Sequence, residues 1–134
     1  MNSIKNICLK AAQAARVLAA QTNKQRNQLL QAMAQAISNN KEKILAANAI
    51  DINNAANNKV SSAMLDRLLL NEQRIDDMIQ GLETVATLPD VVGQTKNVET
   101  RPNGLKISKM KIPLGVICMI YEARPNVTVD AAGL

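Results

Sequence analysis

Leu114-Gly115-Val116-Ile117-Cys118-Met119-Ile120-Tyr121 is an unbroken apolar run with no alternation of polar side chains. A strand with one wet face alternates, whereas a strand covered on both faces does not. Pro113 bounds the run on one side and the polar loop from Glu122 to Asn126 on the other, which gives it the length of a strand rather than of a buried helix. The run therefore predicts one doubly covered strand of the parallel type. Such a strand needs a parallel neighbour, reached through a crossover of roughly a dozen residues or more. Thr128-Val129-Asp130 predicts the start of that crossover helix, with Asp130 near the positive end of its dipole. The sequence in hand reaches Leu134 before any second strand of this kind occurs. The expectation is a piece of a larger α/β protein; a strand that pairs with another copy is the other way to satisfy its backbone.

The preceding residues read as helices. Ile4, Ile7, Cys8, Ala11, Ala12, Ala15 and Leu18 recur at three- and four-residue steps, with Ser3 a candidate N-cap. Thr22-Asn23-Lys24-Gln25 has capping-box form and predicts a restart, followed by the apolar face Leu29, Leu30, Met33 and Ile37. Asn39 and Asn40 break that helix, and a third runs through Ile44, Leu45, Asn48 and Ile52. The Asn-rich stretch 53–58 weakens the third, because Asn side chains compete for backbone hydrogen bonds. Ser61 or Ser62 starts a short helix that ends near Leu69. Asn71 starts another, with Ile75, Met78, Ile79, Leu82, Val85 and Ala86 on one face, and Pro89 ends it.

The pattern changes after Asp90. Pro102-Asn103-Gly104 marks a turn between two polar extended segments, about 95–101 and 105–112. In the second segment Leu105 and Ile107 fall on one phase and Met110 and Ile112 on the other, which predicts a bulge near Ser108-Lys109. Lys106, Lys109 and Lys111 suit an exposed ribbon, which needs a partner surface because a lone hairpin is marginal.

Composition removes several function classes. The chain has no His, Phe or Trp and a single Tyr. That excludes a Ser-His-Asp triad, a His metal ligand and a histidine pH switch. Cys8 and Cys118 lie far apart without CxxC spacing, so no metal site is expected and both are read as buried, inert thiols. The net charge of +5 is spread along the chain, and residues 91–134 carry 6 basic and 3 acidic side chains. A nucleic-acid binder would cluster its charge and interleave aromatics, so no nucleic-acid partner is expected. No apolar run reaches the roughly 18 residues of a membrane span, and no uninterrupted apolar h-region follows Lys5. The reading is a cytoplasmic chain without a membrane partner.

The chemistry concentrates between Tyr121 and Thr128. In an open α/β sheet, ligands bind beyond the carboxyl ends of the strands, and this loop follows such an end. It offers an aromatic ring, a carboxylate, a guanidinium and an amide beside a helix N-terminus. Pro125 stiffens it and biases Arg124 toward extended backbone. A rigid loop carrying an amide is a way to preorganise a donor for a developing oxyanion.

The segment Pro113-Leu114-Gly115-Val116-Ile117, followed after two residues by Ile120-Tyr121-Glu122-Ala123-Arg124-Pro125-Asn126-Val127-Thr128, resembles the signature of the gamma-glutamyl phosphate reductases. These are also called glutamate-5-semialdehyde dehydrogenases and form a family of the aldehyde dehydrogenase superfamily. Residues 44–51, Asp66-Arg67-Leu68 and Leu88-Pro89-Asp90-Val91-Val92-Gly93 resemble the same family. The resemblance covers essentially the whole chain but only the N-terminal part of such an enzyme. It implies the first part of an aldehyde-dehydrogenase-like α/β fold: residues 1–94 as a helical part of the cofactor domain, 95–112 as the β-hairpin of an oligomerisation element, and 113–134 as the first strand and helix start of the cofactor sheet.

What the resemblance implies for function is an oxidoreductase of proline biosynthesis. With NADPH it reduces L-glutamate 5-phosphate to L-glutamate 5-semialdehyde and phosphate, through attack of a cysteine thiolate on the acyl phosphate. That cysteine lies downstream in the family and matches neither Cys8 nor Cys118, so the chain alone is expected to be inactive. A homo-oligomer and glutamate 5-kinase are the implied macromolecular partners. Asn126 falls where the superfamily's asparagine supplies an oxyanion-hole amide; the plainer reading is a turn residue. Ile120, Tyr121 and Glu122 fall where backbone lines the cofactor cleft, or serve structure alone. Arg124 meets the acyl phosphate or the cofactor phosphate, or else pairs with Glu122 or Asp130. Pro125 stands where the superfamily has an aromatic residue. The alternative function is a self-contained helical interaction module with a β tail that recruits a partner.

Overall fold

The computed structural model describes residues 2–134. In chain order the helices are α1 (Asn2–Ala19), α2 (Asn23–Asn39), α3 (Lys41–Asn57), α4 (Ser62–Leu68) and α5 (Glu72–Thr87). Two strands follow, β1 (Thr95–Thr100) and β2 (Lys106–Met110), and then α6 (Asn126–Gly133). The mainly helical first ninety residues, the hairpin and the late helix are the expected succession. Two compact units are formed, one from Met1–Asn23 with Pro89–Cys118 and the other from Lys24–Leu88 with Met119–Leu134.

In the first unit, β1 and β2 pair antiparallel, with Thr95 opposite Met110 and Thr100 opposite Lys106. The turn is the expected one. Gly104 N–H donates to Arg101 O at 2.8 Å, Arg101 N–H donates to Leu105 O at 2.8 Å, and Gly104 takes φ +84°, a left-handed value open to glycine at little cost. The register shifts between Lys96 and Glu99, opposite Ser108. The irregularity thus lies where expected, but the extra residue is in β1 and not in β2. Every residue of β2 is exposed, so the phase slip of its apolar residues marks no buried face. Ser3 lies inside α1 rather than capping it, and Ile4 and Ile7 on the expected apolar face are exposed.

The run 114–121 corrects the expectation of a buried strand. It joins no sheet, and Leu114 and Ile120 are 88 % and 94 % exposed. The physical reason is the one that made the run informative: a strand covered on both faces needs neighbours, and among the described residues none lies beside it. Gly115, at φ +89°, also departs from extended backbone. Cys118 is exposed for the same reason, and so is Cys8 on α1; neither is the buried thiol expected.

The core belongs to the second unit and is built on α5. Ile75, Met78 and Leu82 recur at steps of three and four and are all buried, a stripe that one helix face must cover. Leu70, Ile44, Leu45, Ile37, Ile79 and Val129 pack around Ile75 and Met78. Asn71 caps α5 as its sequence position predicts, its Oδ1 accepting from Arg74 N–H at 2.8 Å. Contrary to expectation the Asn-rich stretch stays helical through Asn57. It ends in a Schellman arrangement: Lys59 takes φ +57°, its N–H donates to Ala56 O at 3.0 Å, and Val60 N–H donates to Ala55 O at 3.1 Å. Asn27 on α2 donates to Ala86 O at 2.8 Å, near the C-terminus of α5. Lys41 on α3 pairs with Asp76 at 2.8 Å. Gly133 lets α6 lie close on α5, since a Cβ there would stand 2.6 Å from Leu82 Cδ2.

Candidate active-site cleft

The link between α4 and α5 is fixed by a buried amide. Asn48, 5 % exposed on α3, donates through Nδ2 to Leu68 O at 2.9 Å and accepts from Leu70 N–H at 2.7 Å. One side chain thereby satisfies both main-chain groups that the end of α4 turns inward. Leu70 is held in the core as a consequence. Arg74, on the first turns of α5, completes the junction. Its guanidinium donates to Asp66 O and, at 2.7 Å, to Leu69 O, and pairs with Asp66 Oδ1 at 3.1 Å. The final carbonyls of α4 are thus met by a cation, which also complements the negative end of the helix.

This junction forms one wall of a cleft of about 330 Å³. The opposite wall is Arg124, Pro125, Asn126 and Asp130, while Leu70 and Met78 give its apolar floor. Arg67 and Asp77 line the α4–α5 side. Two of the residues singled out from sequence, Arg124 and Asn126, therefore share a cleft; Ile120, Tyr121 and Glu122 do not line it.

The loop that carries Arg124 and Asn126 is locally strained. Ala123 takes φ +53°, a left-handed conformation that costs a non-glycine residue about 1–2 kcal/mol. Pro125 then sits in the right-handed helical region, at φ −59° and ψ −35°, as the N-cap of α6. The helix accordingly begins at Asn126, two residues before the expected start, and Asp130 lies one turn inside it rather than at its tip. Asn126 Nδ2 donates to Asp130 Oδ2 at 3.0 Å. Tyr121 and Thr128 share a hydrogen bond of 2.5 Å between their hydroxyls, which anchors the loop to α6 from its other end. Neither expected ion pair of Arg124, with Glu122 or with Asp130, forms among the described residues.

Arg67, Arg74 and Asp77 are the cleft residues that sequence reasoning missed. Asp66-Arg67-Leu68 was visible as a motif, but nothing local says that it faces a loop far along the chain. Asn48 read only as one more residue of an apolar helix face. An Asn at an otherwise apolar helical spacing is the signal that could have found it, since a buried amide must find partners.

No protein-family model matches the chain. Its relatives are nevertheless close. It is 55 % identical to the gamma-glutamyl phosphate reductase of Moorella thermoacetica over 125 residues, 93 % of this chain and 30 % of that protein. It is 50 % identical to the gamma-glutamyl phosphate reductase of Shewanella denitrificans over all 134 residues, which are 32 % of that protein. Among solved structures, the gamma-glutamyl phosphate reductase of Thermotoga maritima matches with a TM-score of 0.88 and 39 % identity, covering 93 % of this chain and 30 % of that one. The Saccharomyces cerevisiae enzyme of the same name matches with a TM-score of 0.91 and 30 % identity, covering 99 % and 34 %. The chain thus spans about a third of the length of the relatives it matches. Among the described residues no helix is long and apolar enough to cross a membrane.

Proposed function

Because the chain is homologous along its whole length to the amino-terminal third of the gamma-glutamyl phosphate reductases, we propose that it serves as that third in an oxidoreductase of proline biosynthesis. The reaction is reduction of L-glutamate 5-phosphate with NADPH to L-glutamate 5-semialdehyde and phosphate, in the cytoplasm. The observation that carries this reading is the loop 121–128: a strained, doubly anchored segment that presents Asn126 at the start of a helix. The relatedness runs through both the helices and the tail, which favours the enzyme over a self-contained helical module with a recruiting tail.

Asn126 is the oxyanion donor in this reading. Its amide nitrogen carries two hydrogens. One is held by Asp130, which fixes the rotamer and leaves the second for the oxygen that gains charge when the acyl group is attacked. A donor fixed before the reaction needs no reorganisation during it. The guanidinium of Arg124 adds positive charge beside that amide for an anionic part of the substrate. The nucleophilic thiol is the downstream cysteine that the resemblance implies, and neither Cys8 nor Cys118 matches it, so the chain alone is expected to be inactive.

Ile120, Tyr121 and Glu122 are the residues assigned to NADPH. Their surroundings fit such a group. These residues stand at the close of the apolar run, at the end where an open α/β sheet binds its ligands, and Ile120 is open to solvent. When bound, the cofactor supplies the hydride. The hairpin 95–112 is assigned to homo-oligomerisation, since its exposed faces have no core of their own, and glutamate 5-kinase is a further partner of the whole enzyme.

The test is the reverse reaction of the full-length gene product, measured as NADP reduction that requires both glutamate 5-semialdehyde and phosphate. Turnover independent of phosphate would assign a plain aldehyde dehydrogenase and overturn the reading. The 134-residue chain alone is expected to give no turnover.

A further inference from the structure

We infer that the cleft between α4, α5 and the start of α6 binds the amino-acid head of the substrate, with Arg67 and Arg124 taking its α-carboxylate and Asp77 and Asp130 taking its α-ammonium. This deepens the function proposed above and rests on it for the identity of the amino acid. The argument starts from charge compensation inside the cleft. Asp66 and Arg74 neutralise each other. Among the described residues the carboxylate of Asp77 is bonded only by the neutral amide of Gln73, at 2.9 Å, and the carboxylate of Asp130 only by the neutral amide of Asn126, at 3.0 Å. The guanidinium groups of Arg67 and Arg124 make no hydrogen bond or ion pair among the described residues. Two cations and two anions thus line one cleft without a charged partner.

The sign pattern selects the ligand. A lone phosphate attracted by the two guanidinium groups would also face two carboxylates. A zwitterion meets both signs, and its carboxylate matches the planar fork of arginine. The cleft volume of about 330 Å³ lies at the small end of ligand sites, which suits one amino acid rather than a nucleotide. Arg124 precedes Asn126 by two residues on the strained loop, so the same segment that presents the amide also grips the head group.

Titration of the full-length gene product with L-glutamate, followed by calorimetry, tests this directly. Saturable binding is expected, weakened about tenfold by Arg67→Gln and by Arg124→Gln. Glutarate, which lacks the ammonium, and inorganic phosphate are expected to bind more weakly than glutamate, and Asp77→Asn should narrow the difference between glutamate and glutarate. All three side chains are exposed or line an open cleft, so an unchanged circular-dichroism melt shows that the variants fold. No glutamate binding, binding untouched by both arginine variants, or phosphate or glutarate bound as well as glutamate would overturn the inference. Because the readout is binding and not turnover, failure here leaves the proposed reaction standing, and absence of phosphate-dependent turnover leaves the head-group site standing.

Discussion

The amide of Asn126 donates to the carboxylate of Asp130, one helical turn further along α6, at 3.0 Å. Under the proposed function this bond links two roles: Asn126 donates to the oxyanion, and Asp130 holds the amide in place while its carboxylate faces the substrate's ammonium. In the full-length enzyme, Asn126→Ala is expected to lower kcat by roughly 10²–10³, the cost of one oxyanion donor. Asp130→Ala leaves the amide present but frees its rotamer, and a smaller loss is expected. Equal kcat for wild type and Asn126→Ala in steady-state assays would remove Asn126 from the chemistry.

Asn48 holds α4 to α5 through two main-chain groups, Leu68 O and Leu70 N–H. Replacing it by Ala leaves both without their partner at a buried position, and a loss of about 2–3 kcal/mol is expected. Asn48→Asp keeps the acceptor for Leu70 but sets a carboxylate against the Leu68 carbonyl, and should also destabilise. Urea denaturation measures both; a midpoint unchanged in Asn48→Ala would contradict the clasp.

Arg74 makes main-chain bonds to the end of α4 as well as an ion pair with Asp66. The ion pair is half in solvent and contributes little, whereas the carbonyls lose a charged donor. Arg74→Met is therefore expected to cost about 1–2 kcal/mol, and Asp66→Ala less than about 0.5 kcal/mol. Thermal melts of the two variants should separate them in that order.

Ala123 sits at φ +53° without the conformational freedom of glycine. Ala123→Gly relieves that conformation but loosens the unfolded chain. The net expectation is a gain of about 0.5–1 kcal/mol in stability. A lower melting temperature would show that the residue is not held left-handed.

The exposed run 114–120 presents Leu114, Val116, Ile117, Met119 and Ile120 to solvent. Contiguous apolar surface drives association. The 134-residue chain is expected to self-associate, with a sedimentation coefficient that rises with concentration. Leu114→Ser combined with Ile120→Ser should shift it toward monomer, and a monodisperse monomer of the unaltered chain would refute the expectation.

Local features were written where they act. The stripe Ile75, Met78, Leu82 and the cap Asn71 specify α5 because a helix repeats within a few residues. Pro102-Asn103-Gly104 specifies its turn because Gly104 alone must be left-handed. The loop Tyr121 to Thr128 announced chemistry by its residue types and resemblance. Tertiary structure decided the rest. That Arg67 and Arg124 line one cleft, and that Asn48 bridges Leu68 and Leu70, depends on how α3, α4, α5 and α6 dock, which no periodicity encodes. The run from Leu114 to Tyr121 shows the same division. Its side chains state that it suits cover on both faces, but burial is a property of neighbours, and only the three-dimensional arrangement supplies or withholds them.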